Sequence, residues 1–347
     1  MLVDSPPEQR AETAAAPPTR RAIRAVGLLA SLGLLVLVAL ASIAIGAKAL
    51  PLDQVWHGLF HDSGTYADVV VGDRLSRTVL GLLAGAALGL AGAVLQALTR
   101  NPLADPGLLG INAGASAAVV TAITYFGVTS LSGYVWFAFF GAAAVGALVW
   151  FLGGSRGATP VRLALAGTAI SAALYGYLQA VMITDGAALG KMRFWTVGSL
   201  ASATDTTIKQ VLPFLVVGTL LALALARPLN AVTMGDDTAR ALGANLNRTR
   251  ALSMAAATVL CGAATAACGP IVFVGLMVPH VVRSFTGPDL RWILPYATVL
   301  SPVLLLGADV VGRMVARPAE LQVGIVTAVL GGPVFIHLVR RRRTAQL

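Results

Sequence analysis

Residues 74–116 read RLSRTVLGLLAGAALGLAGAVLQALTRNPLADPGLLGINAGAS. Two arginines, Arg74 and Arg77, open the stretch. An apolar run follows that is long enough to cross a bilayer, for which about 20 residues suffice. The run breaks at Asn101-Pro102 and Asp105-Pro106, and a second Gly-rich apolar run begins. Gly81, Gly85 and Gly89 recur every fourth residue and share one helix face. No hydrophobic force draws helices together in lipid, so such a face marks close helix–helix packing. Gln96, deeper in the run, is expected to face protein or a cavity rather than lipid.

Working outward, the whole chain has the same character. Of 347 residues, 57% are hydrophobic and 12% charged, with a mean hydropathy of +0.80. A soluble domain carries about 25% charged residues. The apolar runs are continuous rather than alternating, which excludes a β-barrel. The expected fold class is all-α: a polytopic membrane helical bundle. The net charge of +10 would suggest nucleic acid in a soluble protein. Here the charge falls in short loops, where it sets topology, and no nucleic-acid partner is expected.

Ten spans of membrane length are expected. They are Ala25–Ala49, Leu75–Leu98, Gly107–Phe126, Tyr134–Leu152, Thr159–Ile183, Ile208–Ala226, Ala251–Ala267, Ile271–Phe285, Ile293–Val315 and Leu321–Val339. Residues 1–24 read as a disordered cytoplasmic tail, 25–340 as one ten-helix transmembrane domain, and 341–347 as a basic cytoplasmic C-terminal tail. An even number of spans puts both termini on one side. With the termini in the cytoplasm, seventeen of the 25 Lys and Arg residues fall inside and eight outside. That bias supports a multi-pass protein of the cytoplasmic membrane with cytoplasmic termini. All five tryptophans lie near span ends, as an aromatic belt requires.

Several polar positions stand out. Arg74, Arg77 and Arg313 sit at the outer rim of spans and suggest a cationic collar for an acidic partner. Asp309 precedes Arg313 by four residues, so an ion pair along one helix is expected; a proton relay is the competing reading. The longest inner loop, Leu229–Arg250, is expected to hold a short helix. Thr233 would cap it, Asp236 and Asp237 start it, Arg240 follow, and Gly243 end it. Cys261 and Cys268, about 10 Å apart along one helix, read as packing residues. His280 has no second ligand at metal spacing, and no metal site is expected. No Walker A loop, G-x-S-x-G or H-E-x-x-H occurs, so no catalytic residue is expected.

The markers together resemble the permease subunits of the iron-siderophore and vitamin B12 family of ATP-driven importers. They are R-x-x-R at Arg74 and Arg77, NPLADPGLLG at Asn101–Gly110, and Arg162-Leu163 with Ala166-Gly167. Trp195 with Gly198-Ser199-Leu200 and the Gly235–Gly243 loop follow. GPIVFVGLMVPHVVR at Gly269–Arg283, ADVVGR at Ala308–Arg313 and PAELQVGIVTAVLGGPVF at Pro318–Phe335 complete the series. The sequence departs from the family where Ala203, Thr204 and Asp205 stand in place of a second tryptophan. It departs again at Gly312-Arg313, where the family often has Ala-Arg.

The resemblance implies a type II importer permease with ten transmembrane helices, paired with a second copy or a paralogue. It implies two ATPase subunits inside, which hold the ATP and Mg that this chain lacks. A substrate-binding protein would dock outside on Arg74, Arg77 and Arg313. Met234, Gly235, Asp236, Ala239, Arg240, Leu242 and Gly243 would form the ATPase coupling loop. Gln96, Asn112, Thr168 and Ser171 are the candidates for lining the path. The implied cargo is ferric siderophore, with haem or cobalamin as the alternative. A reading of a different class is a proton-coupled secondary transporter using Asp309.

Overall fold

The computed structural model describes residues 20–61, 64–128, 130–154 and 160–344. Among them every regular element is helical. In chain order these are α1 Arg20–Ala44, α2 Leu52–Phe60, α3 Tyr66–Thr99, a 3-10 turn Pro106–Leu109, α4 Ile111–Phe126 and α5 Leu131–Gly154. There follow α6 Pro160–Thr184, α7 Gly186–Trp195, α8 Asp205–Ala224, α9 Ala226–Thr233 and α10 Asp236–Ala241. The chain ends with α11 Leu246–Cys268, α12 Val274–Thr286, α13 Leu290–Val315 and α14 Val323–Thr344.

Each of the ten expected spans coincides with one helix: α1, α3, α4, α5, α6, α8, α11, α12, α13 or α14. Seven of these are long and apolar enough to cross a membrane unaided. Two tail boundaries move. Helix α1 begins at Arg20 and α14 runs to Thr344, so residues 20–24 and 341–344 are helical. The remainder of both expected tails, 1–19 and 345–347, lies outside the described residues.

Helix α3 is the axis of the bundle. Thr65 caps its start, accepting from the Asp68 amide while the Asp68 carboxylate accepts from the Thr65 amide. Its small-residue face packs as the glycine spacing implies. A Cβ on Gly81 would meet Leu306, one on Gly85 the backbone of Pro302, and one on Gly89 the side chain of Ser301. Gly92 extends the face and lies against the carbonyl of Gly275 on α12. Close backbone approach thus seats α3 against α12 and α13, a contact larger side chains would prevent.

Helix α1 runs parallel to α13. The Tyr296 hydroxyl donates to the Arg24 carbonyl at one end, and Arg313 donates to the Ser42 carbonyl at the other. The first is called the near end and the second the far end. Helix α1 turns most of its surface outward: Leu29 is 67% and Leu37 65% exposed. Such a surface would drive aggregation in water and is the outer face of a bundle in lipid.

Helices α4 and α12 have only 16 and 13 residues. At 1.5 Å per residue they fall short of a ~30 Å hydrocarbon core. Irregular backbone precedes both, and it is packed in protein. Gly110 (φ 75°) sits against Val145 and the Gly167 carbonyl, and Phe273 (φ 71°) caps the start of α12. Non-helical chain is tolerated at depth only where protein surrounds it.

Candidate functional site

Polar side chains gather at the two ends. At the far end Arg74, Arg77 and Arg313 meet, but not as a free collar. They are 5%, 8% and 1% exposed. Arg74 donates to the carbonyls of Ile43 (3.1 Å), Ala44 (3.0 Å) and Lys48 (2.6 Å). Arg313 donates to the carbonyl (2.9 Å) and hydroxyl (3.0 Å) of Ser42. The last carbonyls of α1 have no partner within their own helix, and these arginines supply one.

Asp309 is fully buried between two guanidiniums. Arg77 reaches it through Nε (3.0 and 3.2 Å) and Nη2 (2.7 Å), and Arg313 through Nη2 (3.0 Å). The remaining Arg77 nitrogen, Nη1, donates to Glu320 at 2.6 Å. The expected Asp309–Arg313 pair is therefore present as part of a larger cluster. The three arginines are not a free cationic rim: Asp309, Glu320, Ser42 and the carbonyls of Ile43, Ala44 and Lys48 accept from most of their nitrogens. Sequence reasoning missed Glu320 and the Arg77–Asp309 bond, whose partners lie 232 residues apart.

At the near end the Leu229–Arg250 segment forms α9 and α10. Thr233 does not cap α10. It ends α9 and donates to the Asn230 carbonyl (2.7 Å), while Gly235, at φ 113°, takes the cap position. Gly235 is required there because L side chains avoid positive φ. Gly243 (φ 77°) ends the helix as its spacing implies. Ala239 is buried with Val232 and Leu246 in a small separate core.

Asp236 ties this unit to the bundle. It pairs with Arg100, at the end of α3, and with Arg250 of α11 at 2.7 Å. Arg100 also donates to the Val232 carbonyl (2.8 Å). Asn230 fixes α9 to α13, donating to Asp289 (2.7 Å) and accepting from the Leu290 amide (2.9 Å). Facing outward are Met234 (65% exposed) and Leu242 (64%), with the exposed Asp237–Arg240 pair beside them.

The hydrogen bond from Arg100, reinforced by Arg250, holds the Asp236 carboxyl below its usual range. A depressed acid contributes stability above its unfolded pKa and loses it as pH falls through the lower, folded one. This clamp therefore stays charged from pH 5.5 to 8. Tryptic cleavage at Arg248 is expected to proceed equally at both pH values after correction for enzyme activity. Asp236→Asn is expected to accelerate it at both.

The four path candidates separate into two pairs. Gln96 is buried and donates to the carbonyls of Gly275 (3.3 Å) and Leu276 (3.0 Å). Asn112 is buried and accepts from Thr265 (3.0 Å) and Cys261 (3.6 Å). Both are buried and cross-link helices inside this subunit. Thr168 is exposed on α6 and borders a cavity of about 380 Å³ with Thr99, Asn101, Asp105 and Leu165. Ser171, half-buried one turn on, donates to the Gly167 carbonyl.

The arrangement defines a class: a multi-pass helical membrane protein, with a rigid polar platform at one end and an arginine cluster locking its central helices at the other. It belongs to the FecCD transport family, whose model matches residues 34–341. It is 47% identical to the ferric enterobactin transport system permease protein FepD of Escherichia coli (strain K12), over 93% of this chain and 96% of that one. It is 37% identical to the hemin transport system permease protein HmuU of Yersinia pestis, over 89% and 94%. Among solved structures it resembles a metal-chelate type ABC transporter in an inward-facing conformation. The TM-score is 0.80 at 27% identity, covering 91% of this chain and 99% of the other.

Proposed function

We propose that this chain is the membrane-spanning subunit of an ATP-driven importer that carries ferric siderophore across the cytoplasmic membrane. The near end faces the cytoplasm, and two ATPase subunits bind the α9–α10 platform there. The observation that carries this reading is the platform itself. Two exposed apolar side chains, Met234 and Leu242, flank the short helix α10, which ion pairs join to Arg100 at the end of α3 and to α11, while the preceding α9 is hydrogen-bonded to the start of α13. A push on such a helix moves three spans together, as rocking transport of a bulky cargo requires. ATP and Mg are held by the ATPases, and this chain binds neither.

The siderophore assignment rests on the similarity to the ferric enterobactin permease, which exceeds that to the hemin permease. A second permease subunit completes the path. The outward face of α6, with Thr168 exposed and Ser171 at its edge, supports placing the path there. At the far end an acidic substrate-binding protein docks on the arginine cluster. Arg77 is its contact, while Arg74 and Arg313 hold the cluster in place through α1.

The platform is tested by Met234→Asp combined with Leu242→Asp. Membrane expression is expected to persist, while ATPase subunits fail to co-purify and uptake falls at least tenfold. Retention of the ATPases with normal uptake would contradict the reading.

A further inference from the structure

Within the arginine cluster the two acids differ in one respect. Asp309 is sealed inside, whereas the Glu320 side chain is 35% exposed and lies on the short turn between α13 and α14. It takes one nitrogen of Arg77 and shares none of the Asp309 contacts. Glu320 thus accepts from the one nitrogen of the Arg77 guanidinium that does not reach Asp309. Resting on the docking reading above, we propose that Glu320 is an internal stand-in for the carboxylate of the docking protein. It occupies Arg77 in the undocked state and is displaced on docking.

The turn that carries Glu320 is built to transmit that exchange. The Leu321 amide donates to the Gly312 carbonyl (3.1 Å), and the Gly324 amide to the Gly198 carbonyl (3.1 Å). Gly324 packs so closely on the Val197 carbonyl that no Cβ would fit. The neighbouring Ser199 amide donates to Cys268 (2.7 Å), and Ser199 and Gln322 border a shared cavity of about 320 Å³ with Lys191 and Trp195 of α7. Moving Glu320 off Arg77 therefore bears directly on the segment that follows α7. A group that holds the binding-competent state to a small fraction weakens apparent affinity by that fraction.

The experiment uses the full chain in nanodiscs with its ATPases. The probe is a substrate-binding protein that supports uptake by this importer, prepared in soluble form. Surface plasmon resonance is expected to show about tenfold tighter binding to Glu320→Gln than to the parent, the size expected if Glu320 leaves Arg77 free about a tenth of the time. Arg77→Gln is expected to abolish the difference. Equal or weaker binding by Glu320→Gln overturns the stand-in while leaving docking intact. Absence of binding by the parent overturns docking itself and the stand-in with it.

A second measurement does not depend on that variant folding. Both native cysteines are buried, so maleimide labelling of Ser199→Cys reports on this segment alone. Labelling is expected to accelerate severalfold when the binding protein is added. An unchanged rate overturns the displacement.

Discussion

Asp309→Ala is expected to leave almost no folded permease in the membrane. Its carboxylate is inaccessible to solvent and is shared by Arg77 and Arg313. Removing it leaves two buried guanidiniums facing each other without a counter-charge. Breaking one side of a buried ion pair costs about 3–5 kcal/mol, a large part of the about 5–15 kcal/mol that holds a typical protein together. Arg313 also holds the end of α1 through Ser42, so the loss spreads to α1, α3 and α13. Asp309→Asn keeps the shape and an acceptor and is expected to be milder. Fluorescence-detected size exclusion in mild detergent separates the cases. A normal monodisperse peak for Asp309→Ala, with uptake lost, would contradict the structural role and favour the proton-relay reading.

The second large effect is expected at Gly92. A Cβ there would overlap the Gly275 carbonyl and lie 2.6 Å from its Cα. These are backbone atoms, so no side-chain rotation relieves the clash. Gly92→Leu must separate α3 from α12 and is expected to exceed the about 1–3 kcal/mol of ordinary overpacking. Gly72, on the same helix, has open space around its missing Cβ. Gly72→Ala is expected to leave the thermal midpoint unchanged or to raise it, since helix propensity alone favours alanine by about 1 kcal/mol. Equal stability of the two variants would contradict the packing described for α3.

How much of this was legible in the sequence follows from the solvent. A helix crossing lipid must be one apolar run, so all ten span positions appear in the hydropathy. The glycine face is legible too, because Gly81, Gly85 and Gly89 lie on a single helix and their spacing names the face. Side-chain pairing between helices carries no such local signal. Asp309–Arg313 is visible as an i,i+4 pair, whereas Arg77, Glu320 and Arg100 acquire partners only when distant segments meet. Gln96 and Asn112 show the same limit. A polar residue in a span faces protein in any case, and only the fold distinguishes a helix cross-link from a path. Thr233 was misplaced by a local rule. Gly235 at positive φ starts α10 two residues later, and a glycine cap leaves no side-chain signature.

In the function proposed above, this chain is a passive subunit driven by its partners. The most direct test is uptake of radio-iron-loaded siderophore into proteoliposomes. With ATPases, binding protein and ATP supplied, accumulation is expected. With the permease alone, none is expected, whether or not a proton gradient is imposed. Concentrative uptake by the permease alone on a proton gradient would contradict the account.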